Sequence, residues 1–293
     1  MKPAPFKYVA ARTLEQALAL KAEYGDEGRF LAGGQSLVPT LNFRLTQPAV
    51  LIDINPLAER FSVERNAQAG TVRIGALTRY CQLERHSATA RDLPLVHEAM
   101  PHIAHPQIRN RGTIGGNLAH ADPASEMPAI VLVLAGRLRA QSRTGERWIA
   151  ASDFFIGALS TALQSDEMLT DVELPVAAAG CGSCFMEVAR RRGDFALIGV
   201  ACTVQLDESG NCVQARIGLC NAGDTPILAE YAGNSLVGRR IGAAEVDQAA
   251  ALVQDAIDPG GNVHASKEFQ RHLASVLTRR AVTAANERAR RVH

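Results

Sequence analysis

Near the start of the chain Leu14, Ala17 and Leu18 fall on one face at helical spacing, which predicts a first helix. Thr13 and Gln16 in front of that face have the form of a capping box, and Gly25 offers a stop. Short apolar runs and breakers follow. Residues 30–32, 50–54 and 71–75 read as strands, the first broken by Gly33-Gly34. Thr78 is a candidate cap for a helix to about Arg85, and Asp92 for another to about Met100. Residues 127–135 are apolar on every side and read as a buried helix opened by Pro128. Residues 138–141 and 147–149 flank Thr144-Gly145 as a hairpin, and 168–174 form a further strand.

Around residues 175–182 the composition shifts to small residues, which marks a linker. Beyond it, 197–206 and 213–219 read as strands around a turn at 207–211, followed by helices over about 243–257 and 266–289. The order predicts an α+β chain of two domains, residues 1–177 and 183–290.

Charge excludes some functions. Lys plus Arg number 31 and Asp plus Glu 30, a net charge of +1, so neither nucleic acid nor a membrane surface is an expected partner. The longest apolar run, residues 129–135, is too short to span a bilayer, and no apolar segment follows the N-terminus as a secretory signal would. A cytoplasmic protein with six reduced cysteines is expected. Cys181-Gly-Ser-Cys184 is a lone pair, short of the four ligands a zinc or iron–sulfur site needs, and no metal is expected. The C-terminal Arg288, Arg290 and Arg291 read as a solvated helix end.

Two glycine-rich segments carry the candidate chemistry. The first is Leu31-Ala32-Gly33-Gly34-Gln35-Ser36-Leu37-Val38, between a strand and a helix-compatible stretch. Paired glycines allow positive φ and close backbone approach, and successive amides can cradle phosphate, although a tight turn without ligand explains this segment equally well. The second, read as a loop, runs Thr113-Ile114-Gly115-Gly116-Asn117-Leu118-Ala119-His120-Ala121-Asp122. Thr113, Asn117 and His120 could hold pyrophosphate or ribityl oxygens, and Asp122 and Glu126 could accept from hydroxyls. Arg109 and Arg111 fit phosphate neutralisation or internal ion pairs. Neither segment is a Rossmann fingerprint or a P-loop. Together they suggest one elongated dinucleotide clamped between two lobes.

Both segments resemble the two FAD-binding signatures of the medium subunit of the xanthine dehydrogenase and carbon monoxide dehydrogenase family, and Arg190-Arg191-Arg192-Gly193-Asp194-Phe195-Ala196 resembles the segment opening that family's C-terminal domain. The resemblance covers essentially the whole chain. It implies a two-lobed FAD-binding domain of the vanillyl-alcohol-oxidase (PCMH) type, then a small domain of antiparallel sheet with packed helices. It implies non-covalent FAD on residues 31–38 and 113–117, with Leu169 and Phe195 matching positions near the flavin. Glu126 stands where the family usually has Asp, Phe195 where it often has Tyr, and Glu187 near where some relatives have a lysine.

In that family a large molybdenum subunit hydroxylates substrate and a small iron–sulfur subunit passes electrons to FAD. The resemblance therefore implies an electron-transfer subunit in a dimer of heterotrimers, with an external acceptor and no catalytic acid or base of its own. Alternatives are a stand-alone FAD-dependent oxidase or dehydrogenase, a flavin-binding scaffold, or a binder of NAD alone. Gly116→Val is expected to abolish flavin retention by filling space meant for pyrophosphate.

Overall fold

The computed structural model describes residues 2–60 and 62–291. The chain opens with a parallel three-stranded sheet in which Lys7–Ala10 and Gly28–Leu31 flank Val50–Asp53. Parallel strands need crossovers, and the Leu14–Tyr24 helix supplies the first. Thr13 Oγ1 accepts from the Gln16 N–H at 3.1 Å. The return bond of the capping box lands one residue early, with Gln16 Oε1 accepting from the Arg12 N–H. Gly25, at a φ of 48°, ends the helix as expected. Ala17 and Leu18 bury against Val50, Ile52 and Ile54.

A five-stranded antiparallel sheet follows, ordered Val63–Asn66, Thr71–Gly75, Met168–Pro175, Arg137–Gln141, Glu146–Ala150. Six short helices between residues 80 and 133 cover it, and Ile74, Leu118, Ile130, Leu138 and Val172 share its core. The third sheet is antiparallel and four-stranded: Cys181–Ala189, Ala196–Leu206, Cys212–Cys220 and Ile227–Leu228. The Ala243–Ala256 and Lys267–Arg291 helices belong to this second core, whose centre includes Val200, Ile217, Leu219, Val253 and Ala285.

The Glu126–Val133 helix joins the two cores. All eight of its residues are buried, which explains a segment apolar on every side. The Cys212–Cys220 strand approaches so closely that a Cβ on Gly218 would sit 2.4 Å from Val133 Cγ2. Arg216 donates to the carbonyls of Val133 (2.6 Å) and Leu132 (2.9 Å), satisfying orphan acceptors at the helix's C-terminal end.

Several sequence expectations are corrected. Thr78 caps no helix: it is buried with its hydroxyl unpartnered, and the Tyr80–Arg85 helix starts after Arg79. Asp92 ends the Ser87–Asp92 helix, held by Arg91 and Arg65, and Pro94 opens the next, a first-turn position where its missing N–H costs nothing. The linker is confined to residues 176–180, because the small residues from Cys181 onward form a strand under the long helix. The second glycine segment is helical over Ile114–His120. Arg288 is no solvated end: it pairs with Glu98 at 2.7 and 2.9 Å and donates to the Ser183 carbonyl, fastening the last helix to the first half. Cys181 and Cys184 lie three apart on one strand, hence on opposite faces, and cannot chelate one ion.

Candidate functional site

After Leu31 the chain leaves the parallel sheet through Ala32 and Gly33, and Gly34 turns it with a φ of 73°. The Gln35 amide bonds back to the Gly33 carbonyl at 3.0 Å, fixing the bend. Gln35 and Ser36 are exposed, and Leu37 opens the short Leu37–Asn42 helix with Val38 outward. The second segment is built from a helix start. Thr113 is the cap, its Oγ1 accepting the Gly116 N–H at 3.0 Å. Ile114 and Gly115 face inward, where a Cβ on Gly115 would stand 2.4 Å from Ala76 Cβ. Gly116 is exposed, with His120 one turn further along the same side.

The two segments meet. A Cβ on Gly33 would fall 2.4 Å from the Arg111 carbonyl oxygen and 2.8 Å from Gly112 Cα. That glycine serves backbone-to-backbone contact between the segments. A Cβ on Gly116 would point to Ala32, 3.8 Å away, after meeting Thr113 Oγ1 at 2.7 Å. Asn55 and Arg79 stitch the seam. Asn55 Nδ2 donates to the Ala32 carbonyl at 2.9 Å, and Arg79 donates to Asn55 Oδ1 and to the Arg111 carbonyl. Burial and the neighbouring Arg111 charge pull the Arg79 guanidinium below its ordinary pKa. Two cations facing the one Asp53 carboxylate leave net positive charge at the seam, which favours an anion there. The Asn117 Oδ1 is buried without a partner while its Nδ2 holds Ser125 Oγ at 3.0 Å. An unsatisfied buried acceptor beside a cationic seam and an exposed glycine fits a diphosphate with hydroxyl-bearing neighbours, as in FAD.

The remaining expected residues fall at several places in the fold. Asp122 accepts from the Ala124 N–H at 2.9 Å, so one oxygen shapes the turn. Leu169 is buried in the five-stranded sheet, next to Thr170, whose carbonyl receives the Ala76 N–H. Phe195 is 62% exposed and belongs to the second half, just ahead of Ala196, which packs on Ala129. Arg109 is structural: it is buried, pairs with Glu84 at 3.1 Å and donates to the Ile103 and Ala104 carbonyls.

Glu126 is buried at the junction of the halves, where desolvation and the nearby Glu187 raise its pKa to about 8. Opposite it, Glu187 occupies an inward position of the Cys181–Ala189 strand, in register with Gly199 and, beyond, Cys220. His102 Nδ1 is 3.2 Å from Glu187 Oε1, and His102 packs edge-on against Phe185. A cavity of about 320 Å³ opens there, lined by Pro101, His102, Glu187, Ala189, Arg191 and Arg192. Sequence reasoning passed over Asn55 and Arg79 as site residues, and it reads His102, clustered with His105 and His120 near the second segment, as hydrogen bonding in a polar loop. Strand periodicity could have turned Glu187 inward with Phe185 once 181–189 was read as a strand; nothing marked Asn55 or Arg79. Among the described residues no group of three His, Cys, Asp or Glu side chains is placed to hold a metal ion, and no helix is long and apolar enough to cross a membrane.

Glu126 gives stability a definite pH dependence. The folded state keeps a proton up to about pH 8 that an ordinary glutamate releases near 4.5. Between those values the folded chain binds more protons than the unfolded one, so stability falls with rising pH, by at most about 1.4 kcal/mol per unit from this group. Glu126→Gln should therefore gain stability over wild type between about pH 5 and about pH 8 in urea unfolding. An equal difference at both values would show that Glu126 ionises normally.

Comparison with known proteins bears on both halves. Residues 4–177 match the family described as FAD binding domain in molybdopterin dehydrogenase, and residues 183–285 the CO dehydrogenase flavoprotein C-terminal domain. The chain is 40% identical to the 6-hydroxypseudooxynicotine dehydrogenase complex subunit alpha of Paenarthrobacter nicotinovorans, covering 99% of this chain and 97% of that one. It is 36% identical to the carbon monoxide dehydrogenase medium chain of Afipia carboxidovorans, over 99% and 100%. Among solved structures, a carbon monoxide dehydrogenase from Hydrogenophaga pseudoflava that lacks the Mo-pyranopterin moiety superposes with a TM-score of 0.95 at 33% identity, over 98% and 99%.

Proposed function

The chain belongs to the family of FAD-binding medium subunits of molybdopterin dehydrogenases, and on that premise we propose that it relays electrons from iron–sulfur clusters of a partner subunit to an external acceptor. It is an oxidoreductase subunit whose cofactor is FAD. The observation that carries the reading is the meeting of Gly33 with Arg111 and Gly112, which gathers two distant segments into one cationic seam.

FAD, when bound, supplies a carrier able to exchange electrons singly or in pairs. This chain's residues hold and orient it. Residues 31–38 take one flank of the diphosphate, and 113–117 with His120 the other. Asn117 and Asp122 meet hydroxyls, and Glu126, Leu169 and Phe195 bound the ring. Residues 1–177 act as the FAD-binding unit and 183–290 as the unit that closes over the ring. Its partners are a large molybdenum subunit and a small iron–sulfur subunit, in a dimer of heterotrimers in the cytoplasm. No residue of this chain acts on the organic substrate.

Co-expression with the neighbouring open reading frames tests this reading. The expected result is a complex of three chains in which substrate bleaches the flavin, while the separated chain binds FAD but oxidises no organic donor. Turnover of an organic donor by the isolated chain would instead establish a stand-alone FAD oxidase or dehydrogenase.

A further inference from the structure

Two loops of the second half stand together on its surface. Residues 190–195 follow the Cys181–Ala189 strand, and residues 258–271 lead into the Lys267–Arg291 helix. Arg190 Nη1 lies 2.9 Å from His264 Nε2, and Gln270 Nε2 donates to the Leu197 carbonyl at 2.9 Å, so the loops are fastened at two points. Asn262 Oδ1 accepts from the His264 and Ala265 N–H groups and Gln270 Oε1 from the Gly261 N–H, which stiffens the second loop. In a chain of net charge +1, these two loops carry five Arg and Lys against three Asp and Glu. Asp194 is shared by Arg190 at 3.3 Å and Arg191 at 3.5 Å, and Arg192 makes no ion pair or hydrogen bond among the described residues. Phe195 and Val263 stand exposed in the same loops.

This face borders the first half. Gly193 turns the first loop at a φ of 77°, and a Cβ there would stand 2.5 Å from His105 Nδ1 and 3.0 Å from the Ala104 carbonyl oxygen. His105 precedes the Pro106–Arg109 helix, whose continuing turn ends at Gly112 on the cofactor seam, ~10 Å of helical rise away. Beside the loop lies the cavity of about 320 Å³, with Pro101 and His102 from the first half and Glu187, Ala189, Arg191 and Arg192 from the second. Its one carboxylate, Glu187, is held by His102 at 3.2 Å. Two guanidinium groups at a cavity wall, with an exposed aromatic ring in the same loop, have the composition of an interface centre, where Arg and aromatic side chains carry most of the binding. Their charge selects an acidic occupant.

We propose that the 190–195 and 258–271 loops form the docking face for an acidic electron-carrier protein, which seats a carboxylate side chain between Arg191 and Arg192 and covers Phe195 and Val263. The inference rests on the electron-relay reading above and names the class of the external acceptor. Two carrier molecules in turn each accept one electron from the singly anionic, two-electron-reduced flavin, which returns to its oxidised form and releases one proton to water. Long-range attraction speeds the encounter, and loops already held by internal bonds lose little freedom on binding. Arg192 has no internal ion pair to surrender when a carboxylate arrives, and the bond it then makes is charge-assisted. Lys267 and Arg271, which share Asp258 at 3.9 and 3.6 Å, extend the positive rim.

The test uses the complete three-chain complex, reduced by substrate, and follows its reoxidation by plastocyanin, which is acidic, by cytochrome c, which is basic, and by NAD. Flavin content and assembly are measured on the same samples. Wild type should reduce plastocyanin about tenfold faster than cytochrome c at low salt, and the plastocyanin rate should fall about tenfold between ~20 and ~300 mM salt. Arg191→Glu with Arg192→Glu should lose about tenfold of that rate at low salt, and its salt dependence, while reduction of a small neutral quinone is unchanged. Arg191→Lys with Arg192→Lys should keep most of the rate, since the charge is preserved. A plastocyanin rate insensitive to salt or to the Glu variant, or electrons passed to NAD in preference to either protein, overturns the acceptor inference alone. So does a Glu variant that no longer assembles with the other chains, since the face would then lie inside the complex. A complex whose flavin is not bleached by substrate overturns the electron-relay reading and this inference together.

Discussion

Gly33→Ala is expected to strip most of the FAD from the chain. The added methyl would lie 2.4 Å from the Arg111 carbonyl oxygen and 2.8 Å from Gly112 Cα, and both are backbone atoms that no rotamer change can move aside. The two segments must part, which also pulls on the Asn55 and Arg79 bonds across the seam. Overpacking of this kind costs ~1–3 kcal/mol, and ~1.4 kcal/mol is tenfold in affinity, so the dissociation constant for FAD should rise about tenfold or more and flavin should be lost on dilution and washing. Gly116→Ala should be milder, because its Cβ conflicts with the Thr113 hydroxyl at 2.7 Å, the end of a side chain that can turn. The pyrophosphate clash expected of Gly116→Val from the sequence is thus preceded by a clash with the helix cap. The flavin-to-protein absorbance ratio measures all three variants. Equal retention in wild type and Gly33→Ala would mean that the seam does not set affinity.

The second large effect falls on stability. Gly182→Ala would drive a methyl to 1.9 Å from the Ala285 carbonyl oxygen and 2.4 Å from the Ala289 nitrogen. The Lys267–Arg291 helix packs through Ala281, Val282, Ala285 and Ala289, a seam of small side chains that lets its backbone ride on the strand. Lifting it exposes that seam and strains the Arg288–Glu98 pair. A loss of about 3 kcal/mol or more is expected in urea unfolding. A loss below about 1 kcal/mol would contradict so close an approach.

Much of this fold is legible wherever one residue decides local geometry. Thr13 and Gly25 bound the first helix as read, and the 138–149 hairpin and the long C-terminal helix announce themselves by period and turn residues. Errors arise where tertiary contact overrides local preference. Thr78 and Asp92 are good caps by type, but Asp92 is claimed by Arg91 and Arg65 and Thr78 is buried. The Ile114–His120 helix hides behind its glycines, which lower helix propensity but let it sit on Ala76. The meeting of two glycine segments was legible in part, because close backbone approach favours glycine. What each glycine approaches was not legible: Gly33 and Gly115 meet protein backbone, and Gly116 alone of the three is exposed. Asn55, Arg79 and His102 carry no local pattern, since their roles exist only once distant segments are adjacent.

Acid extraction of the purified chain, with chromatographic identification of what it releases, is the most direct trial of the shared grip on the cofactor. The expectation is FAD, equimolar with wild-type chain, and strongly depleted from Gly33→Ala despite a native circular dichroism spectrum. Release of another nucleotide, or FAD held equally by both proteins, would contradict it.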